Sequence, residues 1–231
     1  MENSSRTLLE EIYVVGAGGH AQSTFSLIAN IEQYRFLGFF DDLVIKGTFI
    51  IQDFRTLGTI EELLLAFSPK AKLAIGIGYS LNQRASYFEK FVQIDAEVLP
   101  NLIHPNARID QQINLAVGVH IHSGGIVRIG AEIGDNVVIN SGAIIDHHVS
   151  VGPHSMISPG AILCGRVKVG TRSFVGAGAI ILPGVEIGDS CVIGAGTLVT
   201  RNIPSKMMCM GNPGRIMPIT ENAAKILGDK L

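Results

Sequence analysis

The sequence predicts two architectures in series: an α/β, Rossmann-like unit over residues 1–102, then an all-β solenoid of short parallel strands over residues 103–231 whose end is closed by a short helix at residues 220–230. Three observations carry this expectation. A glycine fingerprint stands between an apolar run and a helical pattern near the start. From Ile103 to Val199 every sixth residue is Ile, Leu or Val, seventeen positions without one insertion. The composition also shifts near residue 100: thirteen of the fourteen aromatic residues lie at or before Phe91, and nineteen of the 27 glycines follow residue 102.

The first unit opens with the apolar run Ile12 to Val15, bounded by glycines and followed by an amphipathic pattern from Ala21 to Ile31. Gly16, Gly18 and Ala21 satisfy G-x-G-x-x-G/A, in which glycines let the backbone approach a phosphate at the N-terminus of a helix. A second apolar run, Phe36 to Phe40, ends in Asp41 and Asp42, about where a Rossmann unit places the carboxylate that receives a ribose hydroxyl. The run Lys72 to Gly78 has the continuous hydrophobicity of a strand buried on both faces. Alternating strands and helical patterns make a small parallel sheet. About 100 residues is half of what a dinucleotide spans, so a mononucleotide-type ligand fits better than NAD. Gly18, Gly19, His20, Asp41 and Asp42 are its candidate contacts.

In the second unit a period of six fits strands and neither 3.5 nor 3.6. Four residues after each aliphatic position the chain reads Ala107, Ile113, Val119, Gly125, Ala131 and onward to Thr197, nearly all small or β-branched. Gly, Asn and Asp between the strands mark corners. Such units bury nothing alone and must stack, each aliphatic side chain on its counterpart one coil away.

Eighteen Lys and Arg against twenty Asp and Glu give a net charge of −2, with no basic surplus for nucleic acid. The N-terminus lacks a basic region, and its longest apolar stretch is too short for a signal peptide or a membrane span. Cys164, Cys191 and Cys209 have no metal-like spacing. A soluble, reducing, cytoplasmic setting is expected. Six of the seven histidines fall between His104 and His154 in no common phase of the hexad, which does not support a ladder of ligands, and no metal is expected.

The segment Asn140-Ser-Gly-Ala-Ile-Ile-Asp-His147-His148 is followed by Gly152 and by Ser158-Pro-Gly160-Ala. With the hexads, this resembles the hexapeptide-repeat acyltransferases. It is closest to the bacterial acetyltransferases of nucleotide-linked amino sugars and the related sialic acid O-acetyltransferases. The opening GAGGHA, Phe39-Phe-Asp41-Asp42, Leu102-Ile-His-Pro105 and Gly211-Asn-Pro213 extend the resemblance over about residues 11–217. It implies a left-handed β-helix of three-hexad coils, a homotrimer with active sites between subunits, and acetyl-CoA as co-substrate. The implied acceptor is the 4-amino group of a nucleotide-activated dideoxy sugar used in surface glycans. O-acetylation of sialic acid or a related nonulosonic acid is the alternative.

By the same resemblance His147 is the general base of a direct transfer, a role that imidazole suits by its near-neutral pKa. Asp146 either supports that base or caps its corner. Asn140 lies near the sugar or caps a coil, while Ser158, Gly165 and Ala177 line the acetyl-CoA groove. The acceptor rests on the first unit, with its sugar reaching His147 of an adjoining subunit. Two positions depart from the family. His148 stands where an acid is frequent, and Met156 where a second imidazole contacts acetyl-CoA in some relatives, leaving His154 as the nearest candidate. A nicotinamide-dependent enzyme built on the first unit and a non-catalytic trimerising scaffold are the rival readings.

Overall fold

The computed structural model describes residues 9–66 and 71–228. Its first part is a five-stranded sheet made of β1 (Glu10–Val15), β2 (Tyr34–Phe40), β3 (Phe49–Ile51), β4 (Phe54–Gly58) and β5 (Lys72–Ile75). Their order is β3-β4-β2-β1-β5. All neighbours are parallel except β3, which turns back on β4 as an antiparallel hairpin at the edge. That hairpin departs from the all-parallel expectation. Helices α1 (Gly19–Ile28), α2 (Ile60–Ala66) and α3 (Leu81–Ile94) complete the unit. α1 starts two residues earlier than its apolar pattern and stops at Ala29.

The chain leaves β1 for β2 on one side and returns to β5 on the other, so the carboxyl end of β1 is a topological switch point, where open α/β sheets bind ligands. The glycines there are dictated by space. Gly16 has φ +102°, and a Cβ on Gly76 would lie 2.7 Å from the Ala21 Cα, so only glycine lets α1 sit this close to β5.

From Leu102 to Val199 every predicted aliphatic position is the second residue of a two-residue strand, β6 (Leu102–Ile103) through β22 (Leu198–Val199). Each strand pairs in parallel with the strand eighteen residues on, as Ile126 with Ile144 and Val127 with Ile145. Three hexads therefore make one triangular coil. The prism has a first face with strands at Leu102, His120, Val138, Met156, Phe174 and Val192, a second face with strands at Arg108 through Leu198, and a third face with strands at Asn114 through Glu186. The aliphatic column and the small-residue column both point inward as one continuous core, with Ile121, Ile139, Val137, Ala143 and Ala161 fully buried. Where the small residue is polar it is satisfied: Ser155 Oγ donates to the Gly170 carbonyl at 2.7 Å and accepts the Ser173 N–H at 3.0 Å.

The left-handed backbone of the corners recurs every sixth residue from Gln112 to Gly196, three places after the aliphatic residue, and is held by glycine or by Asn136, His148, His154, Arg166 and others. The glycines directly after the aliphatic residue serve another purpose. A Cβ on Gly152 would stand 2.7 Å from the Gly170 carbonyl carbon of the next coil. The corner signal in the sequence thus held two kinds of glycine, one set by φ and one by coil spacing.

After Val199 the apolar period lapses, but the first face goes on through β23 (Met207–Met210), parallel to the strand at Val192, and an antiparallel return strand, β24 (Arg215–Pro218). The expected terminal helix is α4 (Glu221–Leu227), capped by the Thr220 hydroxyl and by Gly228 in left-handed conformation. It does not close the end of the prism. Its Ala223 and Leu227 pack with Leu81 of α3 on the outward side chains of the first face, Val138, Met156, Val192 and Met208. The α/β unit and α4 together cover that face.

Candidate functional site

Asp41 and Asp42 are tied into the α/β unit itself. Asp41 Oδ2 accepts the Ala17 N–H of the glycine loop at 2.8 Å, and its Oδ1 accepts the N–H groups of Leu43 and Val44. Asp42 Oδ1 accepts the Ile60 N–H that opens α2, and Tyr87 Oη donates to Oδ2 at 2.9 Å. Both carboxylates border a crevice at the switch point shared with Gly16, Leu43, Ile60, Ile77 and Tyr87. With a carboxylate already on the Ala17 N–H, the charge at this end of the crevice suits a hydroxyl or base edge better than a phosphate. Gly18 and Gly19 are exposed at the start of α1, with open space where a Cβ would stand.

His20 faces the prism. Its ring centroid lies 6.1 Å from that of His122, and the Nε2 atoms of both are enclosed without a hydrogen-bond partner among the described residues. Behind them Arg84 of α3 is 1% exposed; it donates to the carbonyls of Ile75 and Ile77 and, at 3.5 Å, to that of Asn136 in the prism. Burial first and then this guanidinium push the pKa of His20 down to about 3 and that of His122 to about 4, with smaller contributions from His122 on the former and His104 on the latter. His120, fully enclosed, is held well below its ordinary value by the same causes. These imidazoles are neutral at physiological pH and tie the two parts together. Arg84 and His122 were not singled out as functional in the sequence; only the contact across the seam reveals them.

His147 stands at the corner after the second face. Its backbone N–H donates to Asp146 Oδ1 at 2.7 Å, and its Nε2 lies 4.0 Å from Asp146 Oδ2. One coil further on, a Cβ at position 165 would run into Nε2 and Cε1 of the ring, so Gly165 is the floor on which the imidazole lies. His148 follows in left-handed conformation, its Nδ1 3.2 Å from His147 Nδ1. Both residues are accessible, the His147 side chain at 42%. Adjacent residues of a straight strand would point apart; here the corner bends Asp146, His147 and His148 into one group. Cys164 lies beside them with its thiol pKa raised, first by burial and then by the Asp146 charge. Burial raises Cys191 and Cys209 as well. None of the three thiols is activated as a nucleophile.

The other candidates stand elsewhere. Asn140, Ser158 and Ala177 share the corner after the first face with His122. Asn140 Nδ2 donates to the Ile157 carbonyl at 3.0 Å, and Ala177 is exposed, its N–H in no hydrogen bond among the described residues. His154 is on the third corner, where Asn136 Nδ2 meets its Nδ1 at 3.0 Å and Phe88 of α3 meets its ring edge-on. It is packed into the seam, away from His147. Among the described residues, no three His, Cys, Asp or Glu side chains converge in a group able to hold a metal ion. No helix among them is long and apolar enough to cross a membrane.

Triangular coils with an α/β unit on one face have counterparts among known families and solved structures. Residues 130–165 match the bacterial transferase hexapeptide family (six repeats), and residues 166–201 match the hexapeptide repeat of succinyl-transferase. In the first part, residues 11–91 match the PglD N-terminal domain. No curated protein matches the sequence. Among solved structures, the acetyltransferase domain of PglB from Neisseria gonorrhoeae FA1090 is similar at 28% identity and a TM-score of 0.81, over 90% of this chain and 100% of that one. The same domain in complex with acetyl coenzyme A gives 28% and 0.80, with the same coverage of both chains. PerB from Caulobacter crescentus, in complex with CoA and GDP-perosamine, gives 27% and 0.78 over 90% of this chain and 97% of that one.

Proposed function

We propose that the protein is an acetyl-CoA-dependent N-acetyltransferase that acts on the 4-amino group of a nucleotide-activated dideoxy amino sugar destined for a surface glycan. One observation carries the reading beyond the likeness to PglB and PerB. The α/β unit that holds the crevice packs on the first face, whereas His147 stands at the far edge of the second face. The outward residues of that second face are Arg108 and then Ile126, Ile144, Ile162, Ile180 and Leu198, an aliphatic ladder that no element among the described residues covers; the third face carries Asn114, Glu132, Ser150, Lys168 and Glu186 in the same positions. Exposed apolar stripes of this kind mark association. Three prisms that turn their second faces to a common axis bring the Asn140, Ser158 and Ala177 corner of one against the His147 and Gly165 corner of the next. The division near residue 102 then separates an acceptor-binding unit from a prism that contributes the base to a neighbour's site.

In that interface the exposed corner backbone, with the free Ala177 N–H, suits the amide groups of an extended pantetheine arm. The acceptor amine attacks the thioester carbonyl, His147 Nε2 takes the proton that the nitrogen sheds, and coenzyme A departs as the thiolate or thiol. Donor and acceptor meet directly. The raised thiol pKa of Cys164 fits a transfer with no acyl-enzyme.

The test is release of free thiol from acetyl-CoA over UDP-, GDP- and dTDP-linked 4-amino sugars, with the GDP sugars first because PerB was solved with GDP-perosamine. Thiol release with one of them, and N-acetyl product by mass spectrometry, is the expected result. Inactivity on the whole panel, or acetylation of a hydroxyl in its place, overturns the reading. The variant Ile144→Asp/Ile162→Asp is expected to sediment as a monomer and lose turnover; a fully active monomer refutes the shared site.

A further inference from the structure

We propose that His148 is the positioning residue of the base: its Nδ1 accepts a hydrogen bond from the His147 Nδ1–H and so selects the tautomer that leaves Nε2 of His147 free to take a proton. This rests on the reading of His147 as the base. The geometry is specific. The two Nδ1 atoms are 3.2 Å apart, and the rings meet edge to face with centroids at 5.4 Å and an angle of 79°. Two glycines one coil away make room for the pair. The His147 ring lies over Gly165, and a Cβ on Gly130 would stand 2.7 Å from Cδ2 of His148. Glycine at 130 is fixed twice, because its φ is +72°. His148 itself has the left-handed backbone, φ +57°, that the corners of the prism share.

Asp146 does not orient the ring. Its Oδ1 is engaged by the backbone N–H of His147, and Oδ2 at 4.0 Å from Nε2 is beyond hydrogen-bond reach. The His148 Nδ1 is therefore the one ring partner of His147 among the described residues. A neutral imidazole has a single N–H, and which nitrogen bears it is set by the bond the other makes. With that hydrogen on Nδ1 and pointed at His148, Nε2 keeps its lone pair. His148 then carries its own hydrogen on Nε2. When His147 takes the proton from the attacking amine at Nε2, its Nδ1–H bond to His148 becomes charge-assisted and strengthens as the transition state forms. A neutral imidazole thus does the orienting that a carboxylate does in other bases, without adding charge to a corner that already bears Asp146.

Two measurements test this. The first uses the substrate-free protein: long-range 15N NMR of the histidine side chains is expected to show His147 protonated at Nδ1 and His148 at Nε2. The second compares His148→Ala with His148→Asn. Asparagine tolerates left-handed backbone, and its Oδ1 stands one bond from Cγ, as the imidazole Nδ1 does. His148→Ala is expected to lower kcat by about 10- to 100-fold, a part of what the base itself supplies, with KM for both substrates within about twofold. His148→Asn is expected to restore kcat to within about threefold of wild type. Resting His147 protonated at Nε2, unchanged kcat in His148→Ala, or an equal loss in both variants with unchanged melting overturns the proposal. Failure of the underlying reading looks different: His147→Ala stays active, or the wild type is inactive on every sugar. In either case the NMR result still decides the pairing.

Discussion

The histidines at the seam and the histidines at the second corner are the same residue in opposite settings. His20, His120 and His122 are enclosed beside a buried guanidinium, with ring nitrogens that find no partner among the described residues. His147 and His148 are accessible, paired with each other and floored by glycine. The first group gives up proton exchange and joins two parts of a chain. The second has the open approach that the proton transfer proposed for His147 requires. Burial, more than residue type, decides which imidazole can do chemistry.

Removing the proposed base breaks the comparison most directly. His147→Ala is expected to reduce kcat by about 10²–10⁴-fold with circular dichroism and sedimentation unchanged. Wild-type turnover in that variant would return the second corner to the status of a decorated turn.

The seam responds to pH. The folded-state pKa values of His20 and His122 lie at about 3 and about 4, below the ordinary 6.5, so the unfolded chain binds protons first as pH falls. Stability is fully present above about pH 6.5 and is lost as pH drops toward about 4, by up to about 1.4 kcal/mol per pH unit for each such histidine. Urea midpoints taken between pH 7.5 and 4.5 are expected to be flat at first and then to fall steeply, with a shallower slope in His122→Gln. A midpoint that rises on acidification contradicts the burial of these rings.

The prism was legible because its period is local. Each of the seventeen aliphatic positions needs only its own hexad to be recognised, and the strands follow them residue for residue. Within the α/β unit, β1, β2 and β5 were equally plain, since continuous apolar runs announce buried strands. The β3–β4 hairpin was missed: Phe49 to Ile51 pairs with residues only a few places on, at a sheet edge where no alternation is enforced. α4 was found as a helix, but its place on the side of the prism depends on Met156 and Val192, coils away in sequence. Candidate site residues were readable as motifs, whereas their distribution over three corners was not. That distribution depends on eighteen-residue coil closure, which puts His147 over Gly165 and His154 against Phe88. Arg84 gave no signal because a helix arginine reads as a solvated face until a second layer covers it.

Gly165→Ala sharpens the contrast at smaller scale. The added methyl meets the His147 ring, which has solvent to move into, so the melting temperature is expected to change by no more than about 2 °C, as for a surface substitution of about 0.5 kcal/mol or less. Turnover is expected to fall by about 10²-fold, the cost of displacing a base by about 1 Å. An equivalent methyl at Gly152 is driven against backbone of the next coil, 2.7 Å away, with nowhere to relax, and is expected to lower stability before activity. Thermal melts and kcat measured side by side on the two variants separate a glycine that serves the base from one that serves the coil. If both lose stability alone, the floor under His147 is structural and the ring position is not what limits transfer.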